Sequence, residues 1–204
     1  MIYEVRTYRL KPGSIPEVEK RFAEALPHRE KYSKLGALWH TELGPLNQIV
    51  HVWPYESLDQ RAELRGQAMK DPHWPPKLGE FIETMESEIF LPTSFMPPLT
   101  PRALGGIYEM RTYMYQPGMM PEVLKRWETA IVERMKLSPL AACWYSELGE
   151  LNKFVHVWAY KSFGERDRIR AESMKLPTWP PNTREFLLSQ ANKILLPASC
   201  SPMQ

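Results

Sequence analysis

The chain has 204 residues, 43% of them hydrophobic and 25% charged, and its 26 basic and 24 acidic side chains leave a formal net charge of +2. So even a balance excludes a global attraction to nucleic acid or anionic lipid, and no apolar run reaches the roughly 18–20 residues that a membrane helix needs. Cys143 and Cys200 lack metal-ligand spacing and only three aspartates are present, so neither a disulfide framework nor a metal cluster is expected. Met1 leads straight into IYEVRTY, without the basic and apolar regions of a secretory leader. The expected class is a cytoplasmic, thiol-containing globular protein with no metal and no cofactor.

Residues 2–10 alternate and are rich in tyrosine, valine and threonine, which predicts a strand, and Lys11-Pro12-Gly13 ends it with turn chemistry. Over 14–35, Val18, Phe22, Ala25 and Leu26 recur at helical spacing, which predicts a helix lying on the sheet. Pro27 should bend it by removing a backbone hydrogen bond, whereas its later counterpart Val132 should not. Residues 37–42 and 47–55 read as a hairpin around Leu43-Gly44-Pro45-Leu46. Helix is expected again at 57–70 and, after a break from Pro72 to Pro76, at about 78–86. A short strand from Glu88 to Leu91 follows. The order β-α-β-β-α-β is the ferredoxin-like unit, an antiparallel sheet with helices over one face.

Compared with itself at an offset of 105, the chain is identical at roughly 45 of its first 94 positions without a gap. IYEVRTYRLKPG returns as IYEMRTYMYQPG, and ELGPLNQIVHVWPY as ELGELNKFVHVWAY. Two tandem α+β ferredoxin-like domains, 1–92 and 106–197, are therefore expected, joined by a Pro/Gly-rich linker at 93–105. Each sheet would leave one apolar face bare, and packing the two faces together makes an intramolecular pseudo-dimer. Exchange between chains and further homo-oligomer formation are left open.

The Y-E-x-R-T-Y-x-x-x-P-G opening, the W-x-x-E-L-G-x-L-N-x-x-V-H-V-W hairpin and the later D-P-x-W resemble the NIPSNAP family, whose domain belongs to the dimeric α/β-barrel superfamily. The resemblance spans Tyr3 to Gly13, Trp39 to Trp53 and Asp71 to Trp74, and again Tyr108 to Gly118, Trp144 to Trp158 and Pro177 to Trp179. It implies that the pseudo-dimer is such a barrel, closed within one chain. No single reaction is implied: family members have mitochondrial and vesicular associations, and the wider superfamily includes small-molecule monooxygenases, lactone isomerases and haem enzymes. Leu176 stands where the motif has aspartate, which weakens any role for Asp71.

Alternation places Glu4, Arg6 and Tyr8 on one face of the first strand, and Glu109, Arg111 and Tyr113 repeat them. In the hairpin, Asn47, Ile49, His51 and Trp53 share a face, as do Asn152, Phe154, His156 and Trp158. Arg29 falls on the apolar face of the first helix, and Arg134 repeats it; Arg61 and Arg65 recur as Arg166 and Arg170. An arginine turned inward needs an anion or acceptor, and Glu4, Glu42 and Glu80 are the internal candidates, recurring as Glu109, Glu147 and Glu185.

Two readings follow. In one, these groups form a satisfied polar network that holds sheet and helices together. In the other, Arg6, Tyr8, Trp39, His51, Trp53 and Arg65, with Arg111, Tyr113, Trp144, His156, Trp158 and Arg170, line sheet–helix clefts for a small, partly aromatic or carboxylate-bearing ligand. The enzymatic alternative is a cofactor-independent isomerase, lyase or monooxygenase. There His51 or His156 acts as base, Arg6 or Arg111 holds an anionic intermediate, and Tyr8 or Tyr113 donates a hydrogen bond. A haem ligand is a weaker role for those histidines, and the Trp74-Pro75-Pro76 corner reads as a packing plug. HExxH, CxxC, G-x-S-x-G, P-loop and G-x-G-x-x-G motifs are all missing, as is the aromatic signature of RNA-binding strands.

Overall fold

The alternating openings of the two halves become β1 (Ile2–Leu10) and β5 (Ile107–Tyr115), the inner strands of a computed structural model that describes residues 1–204. The first half continues with α1 (Ile15–Arg29), β2 (Ala37–Leu43), β3 (Gln48–Tyr55), α2 (Leu58–Ala68) and β4 (Ile82–Pro92). The second repeats it with α3 (Met120–Met135), β6 (Leu140–Leu148), β7 (Lys153–Tyr160), α4 (Phe163–Ser173) and β8 (Leu187–Pro197).

Each half forms an antiparallel sheet, ordered β4-β1-β3-β2 or β8-β5-β7-β6. The outer strands then pair across the halves, β2 with β8 and β4 with β6, and all eight close into one barrel. Closure satisfies edges that a lone four-stranded sheet would expose. Inside, Tyr3, Val5, Val50 and Val52 meet Tyr108, Met110, Val155 and Val157 in a common apolar cluster. Met203 joins it with linker residues Met96, Leu99 and Leu104, and Tyr108 donates its hydroxyl to the Gln204 carbonyl at 3.0 Å. Linker and C-terminal residues thereby plug the end of the barrel where β1 and β5 begin.

The helices cover the outside. Val18, Phe22 and Leu26 of α1 pack with Trp53, and Val123, Trp127 and Ile131 of α3 with Trp158. Each such fully buried large side chain contributes about 1.5–3 kcal/mol. Ser57 and Ser162 cap α2 and α4 by accepting the backbone N–H of Gln60 and Glu165 at 3.1 and 3.2 Å. The hairpin tips turn through Gly44 and Asn47, at φ +107° and +57°, and through Gly149 and Asn152, at +118° and +60°. No helix is long and apolar enough to cross a membrane.

Three sequence expectations need correction. The helix expected at 78–86 is absent: β4 starts at Ile82 and pairs with β1 from Leu10 back to Tyr3, so the final strand is longer than 88–91. Phe81, Ile82 and Met85 suit a helical stripe, but pairing with β1 along its length overrides that local pattern. The first helix ends at Arg29 rather than near residue 35, with Pro27 in its last turn. The following residues instead carry Leu35 into the core.

Candidate functional site

Pairing opposite residues across strands fixes which side chains share a face. Arg6 stands opposite His51 and Glu4 opposite Trp53, and Arg111 and Glu109 match His156 and Trp158 in the same way. These groups face the helices. Trp39 does not, because it pairs with Val50, and Trp144 pairs with Val155; both tryptophans lie in the barrel interior. Trp39 and Trp144 are therefore removed from the clefts, while Arg6, Tyr8, His51, Trp53, Arg65 and their counterparts are brought together.

Glu4 is the hub of the first cleft. Fully buried, it accepts hydrogen bonds from Arg6 and Arg61 at 2.7 Å, from Arg65 at 3.4 Å and from Ser87 at 2.7 Å. Burial alone would raise its pKa, but the Arg61 bond, the Arg65 charge and the bonds from Ser87 and Arg6 outweigh that and hold it at about 2. Glu109 does the same with Arg111, Arg166, Arg170 and Asn192. The other proposed partners do not take part. Glu42 is exposed, and Glu80 and Glu185 make surface pairs with Arg21 and Arg126.

Arg29 and Arg134 are buried without any carboxylate. Arg29 donates to the Tyr55 hydroxyl at 2.8 Å, and its Nη1 has no partner. Arg134 donates to Ser138 at 2.8 Å and Tyr160 at 3.0 Å. Their guanidinium carbons lie over Trp53 at 4.6 Å and Trp158 at 4.0 Å, a cation–π arrangement. Burial lowers the pKa of both arginines. In each half, four guanidinium groups thus surround one buried carboxylate, a formal excess of three positive charges in the first cluster and of two in the second, where the exposed Asp167 also pairs with Arg166 at 2.9 Å.

Each histidine accepts a hydrogen bond from a tryptophan. Trp53 Nε1 donates to His51 Nδ1 at 2.7 Å, and Trp158 Nε1 to His156 Nδ1 at 2.7 Å. An indole N–H can only donate, so Nδ1 is the acceptor and the ring proton sits on Nε2. Both Nε2 atoms are buried without a partner. Burial, and then the nearby arginines, pull His51 down to about 3 and His156 well below the usual 6.5, so both rings are neutral. Neither has a free basic nitrogen in this arrangement, which counts against the general-base role expected for them. Haem ligation does not fit either: with the Trp158 N–H on Nδ1, the ring nitrogen left over carries the proton and has no lone pair for a metal.

In the second half these groups surround a cavity of about 440 Å³, whose lining includes Arg111, Tyr113, Arg134, His156, Trp158 and Arg170 together with Trp179 and Gln190. Arg111 Nε donates to the Tyr113 hydroxyl oxygen at 2.9 Å, which leaves the hydroxyl proton for another acceptor. Trp179, the counterpart of Trp74 in the corner that reads as a plug, is also a wall of this cavity. Gln190 was missed because its counterpart is Met85 and nothing in the repeat marks it. Asp71 lies elsewhere, accepting from the His73 backbone at 2.9 Å and facing His28 at 3.5 Å.

The fold and site together define an intramolecular dimeric α/β barrel with a cationic, tryptophan-lined cluster under the helices of each half and a cavity beside that of the second. The NIPSNAP family model matches residues 3–97 and 108–202, and the chain belongs to that family. "Protein NipSnap homolog" of Dictyostelium discoideum is 32% identical over 203 residues, covering 96% of this chain and 87% of that protein. The human "Protein NipSnap homolog 3A" is 31% identical over 218 residues, covering 100% and 86%. Among solved structures, a NIPSNAP family protein of unknown function from Agrobacterium tumefaciens is 42% identical, with a TM-score of 0.46, and matches 48% of this chain with 92% of its own. A Fusobacterium nucleatum protein provisionally named a monooxygenase shares the whole architecture, with a TM-score of 0.71 over 97% of this chain and 92% of its own. At 11% identity that likeness concerns the fold alone.

Proposed function

We propose that the sheet–helix clefts bind a small organic anion, a carboxylate-bearing and partly aromatic molecule, with the second-half cleft as the principal site. The observation that carries this reading is Arg134: a buried guanidinium beside a cavity, with a hydroxyl for each of two nitrogens and no carboxylate. A buried charge without a counter-ion costs several kcal/mol, and an anionic ligand offsets that cost. Arg111 and Arg170 add two more cations, and the His156 Nε2–H and Tyr113 O–H add neutral donors. Trp158 and Trp179 supply flat apolar walls. The same donors suit an enolate or other oxyanion, so in the enzymatic reading these residues hold the anion and another base removes the proton.

Calorimetric titration with benzoate and with neutral benzamide tests the charge requirement. Benzoate should bind in preference to benzamide, more weakly at high salt, and Arg134→Met should abolish the preference. Equal binding of the two, or binding of neither, would refute the reading.

A further inference from the structure

The alternation that turns Glu4 and Arg6 toward the helices turns Thr7 and Thr112 into the barrel, and strand pairing carries Glu86 opposite Thr7 and Ala191 opposite Thr112. Away from the Met203 plug, these residues line a cavity of about 260 Å³ whose apolar wall includes Trp144, Phe90 and Met110. Lys153 and Lys193 line it too. They are the counterparts of Gln48 and Glu88 at the 105-residue offset, so both lysines come from the second half. Two identical subunits would place the same residue here twice. Fusion into one chain has removed that constraint.

The two amines are in different states. Lys153 is ion-paired with Glu88 at 2.7 Å and Glu150 at 3.2 Å. Lys193 has no carboxylate within ion-pair distance, and its one hydrogen bond goes to the neutral Gln48 Oε1 at 3.1 Å. Burial is the main influence on it and, with repulsion from Lys153, outweighs the attraction of Glu86 and Glu88, bringing the amine down to about 8. About a tenth of such amines are neutral at pH 7, against well under a thousandth for an ordinary lysine. A desolvated lysine beside a second cation is the setting in which amines act as nucleophiles.

We propose that this cavity is a second site, separate from the sheet–helix clefts, in which the Lys193 amine condenses with the carbonyl group of a small aldehyde or ketone. The Nζ lone pair attacks the carbonyl carbon and the carbonyl oxygen takes up a proton. The carbinolamine then expels that oxygen as water, leaving a C=N bond to Nζ, with no net oxidation or reduction. Glu86 is close enough to raise the proton affinity of Lys193 and has no ion-pair partner of its own. It can pass the proton and balance the iminium charge, while the apolar wall disfavours hydrolysis.

Incubating the full chain with propionaldehyde or pyruvate and sodium cyanoborohydride at pH 7 traps any imine as a stable secondary amine. Peptide mass spectrometry then compares all twelve lysines. Lys193 should be labelled at least about tenfold faster than exposed lysines, with a pH midpoint close to 8 that moves down in Glu86→Gln. Lys193→Arg should lose the adduct and keep the circular dichroism of the unmodified protein. Labelling that follows exposure alone, a Lys193 midpoint at the ordinary lysine value, or a Lys193 unreactive toward both probes would each overturn the proposal. The wild-type measurement stands even where a variant fails to fold.

Discussion

Trp53 donates its indole N–H to Nδ1 of His51, two residues earlier on the same face of β3, at 2.7 Å, and Trp158 repeats the bond to His156 on β7. One aromatic donor thus sets the tautomer of each buried imidazole. Nitrogen NMR at pH 7 should show Nε2 protonated and Nδ1 bare in both rings. Trp158→Phe should mix the tautomers of His156 and leave His51 unchanged; the opposite starting tautomer would sink the donor assignment.

Acid should destabilise the protein in two stages. An unfolded histidine takes up its proton near 6.5, whereas folded His51 and His156 resist until far lower pH, His51 to about 3. As pH falls below about 6.5 the unfolded state binds more protons, and stability drops by about 1.4 kcal/mol per pH unit for each histidine. Glu4, lowered from 4.5 to about 2, stabilises fully above 4.5 and loses that contribution as the pH falls toward 2. Urea denaturation at successive pH values should show the first stage, and His51→Gln should halve its slope.

Glu4→Gln removes the one carboxylate shared by Arg6, Arg61 and Arg65. Stability should fall by about 3–5 kcal/mol, because three cations are left without a counter-charge. Arg61→Met on the same background should recover part of the loss, and additive effects of the two substitutions would show that the hub is not one network.

Arg29→Met and Arg134→Met should behave differently from Glu4→Gln. Neither arginine has a carboxylate to abandon, so stability should stay the same or rise, by up to about 4 kcal/mol, as for replacing buried ionic groups by apolar side chains of similar size. Benzoate affinity in Arg134→Met should fall at least about tenfold, the worth of one charge-assisted hydrogen bond. A large stability loss with unchanged affinity would assign Arg134 to structure alone.

Met203, fully buried in the barrel cluster, tests the plug. Met203→Ala should cost about 2–5 kcal/mol in urea denaturation, the range for emptying a methionine site in a packed core. A near-neutral result would mean that the C-terminal residues do not seal the barrel.

Much of this architecture is legible from the amino acids. The 105-residue repeat implies two equivalent units, and strict alternation in β1 already groups Glu4, Arg6 and Tyr8. Arg29 shares the α1 face of Val18 and Phe22 because helical spacing puts it there. Even the tryptophan–histidine pair can be anticipated, since residues two apart on a strand share a side.

What spacing leaves open is which surface each side meets and where partners from distant segments arrive. Trp39 belongs to the lumen because the hairpin register sets it opposite Val50, while its neighbour Leu38 faces His51. Glu4 rather than Glu42 or Glu80 gathers the arginines because α2 brings Arg61 and Arg65 over β1. Lys193 is partly desolvated because closure of the barrel sets it beside Gln48, 145 residues away in the chain. Local order follows from the repeating geometry of a helix or strand, which neighbouring residues carry themselves. Charge balance, desolvation and cavity shape depend on long-range strand pairing, and only the closed barrel specifies them.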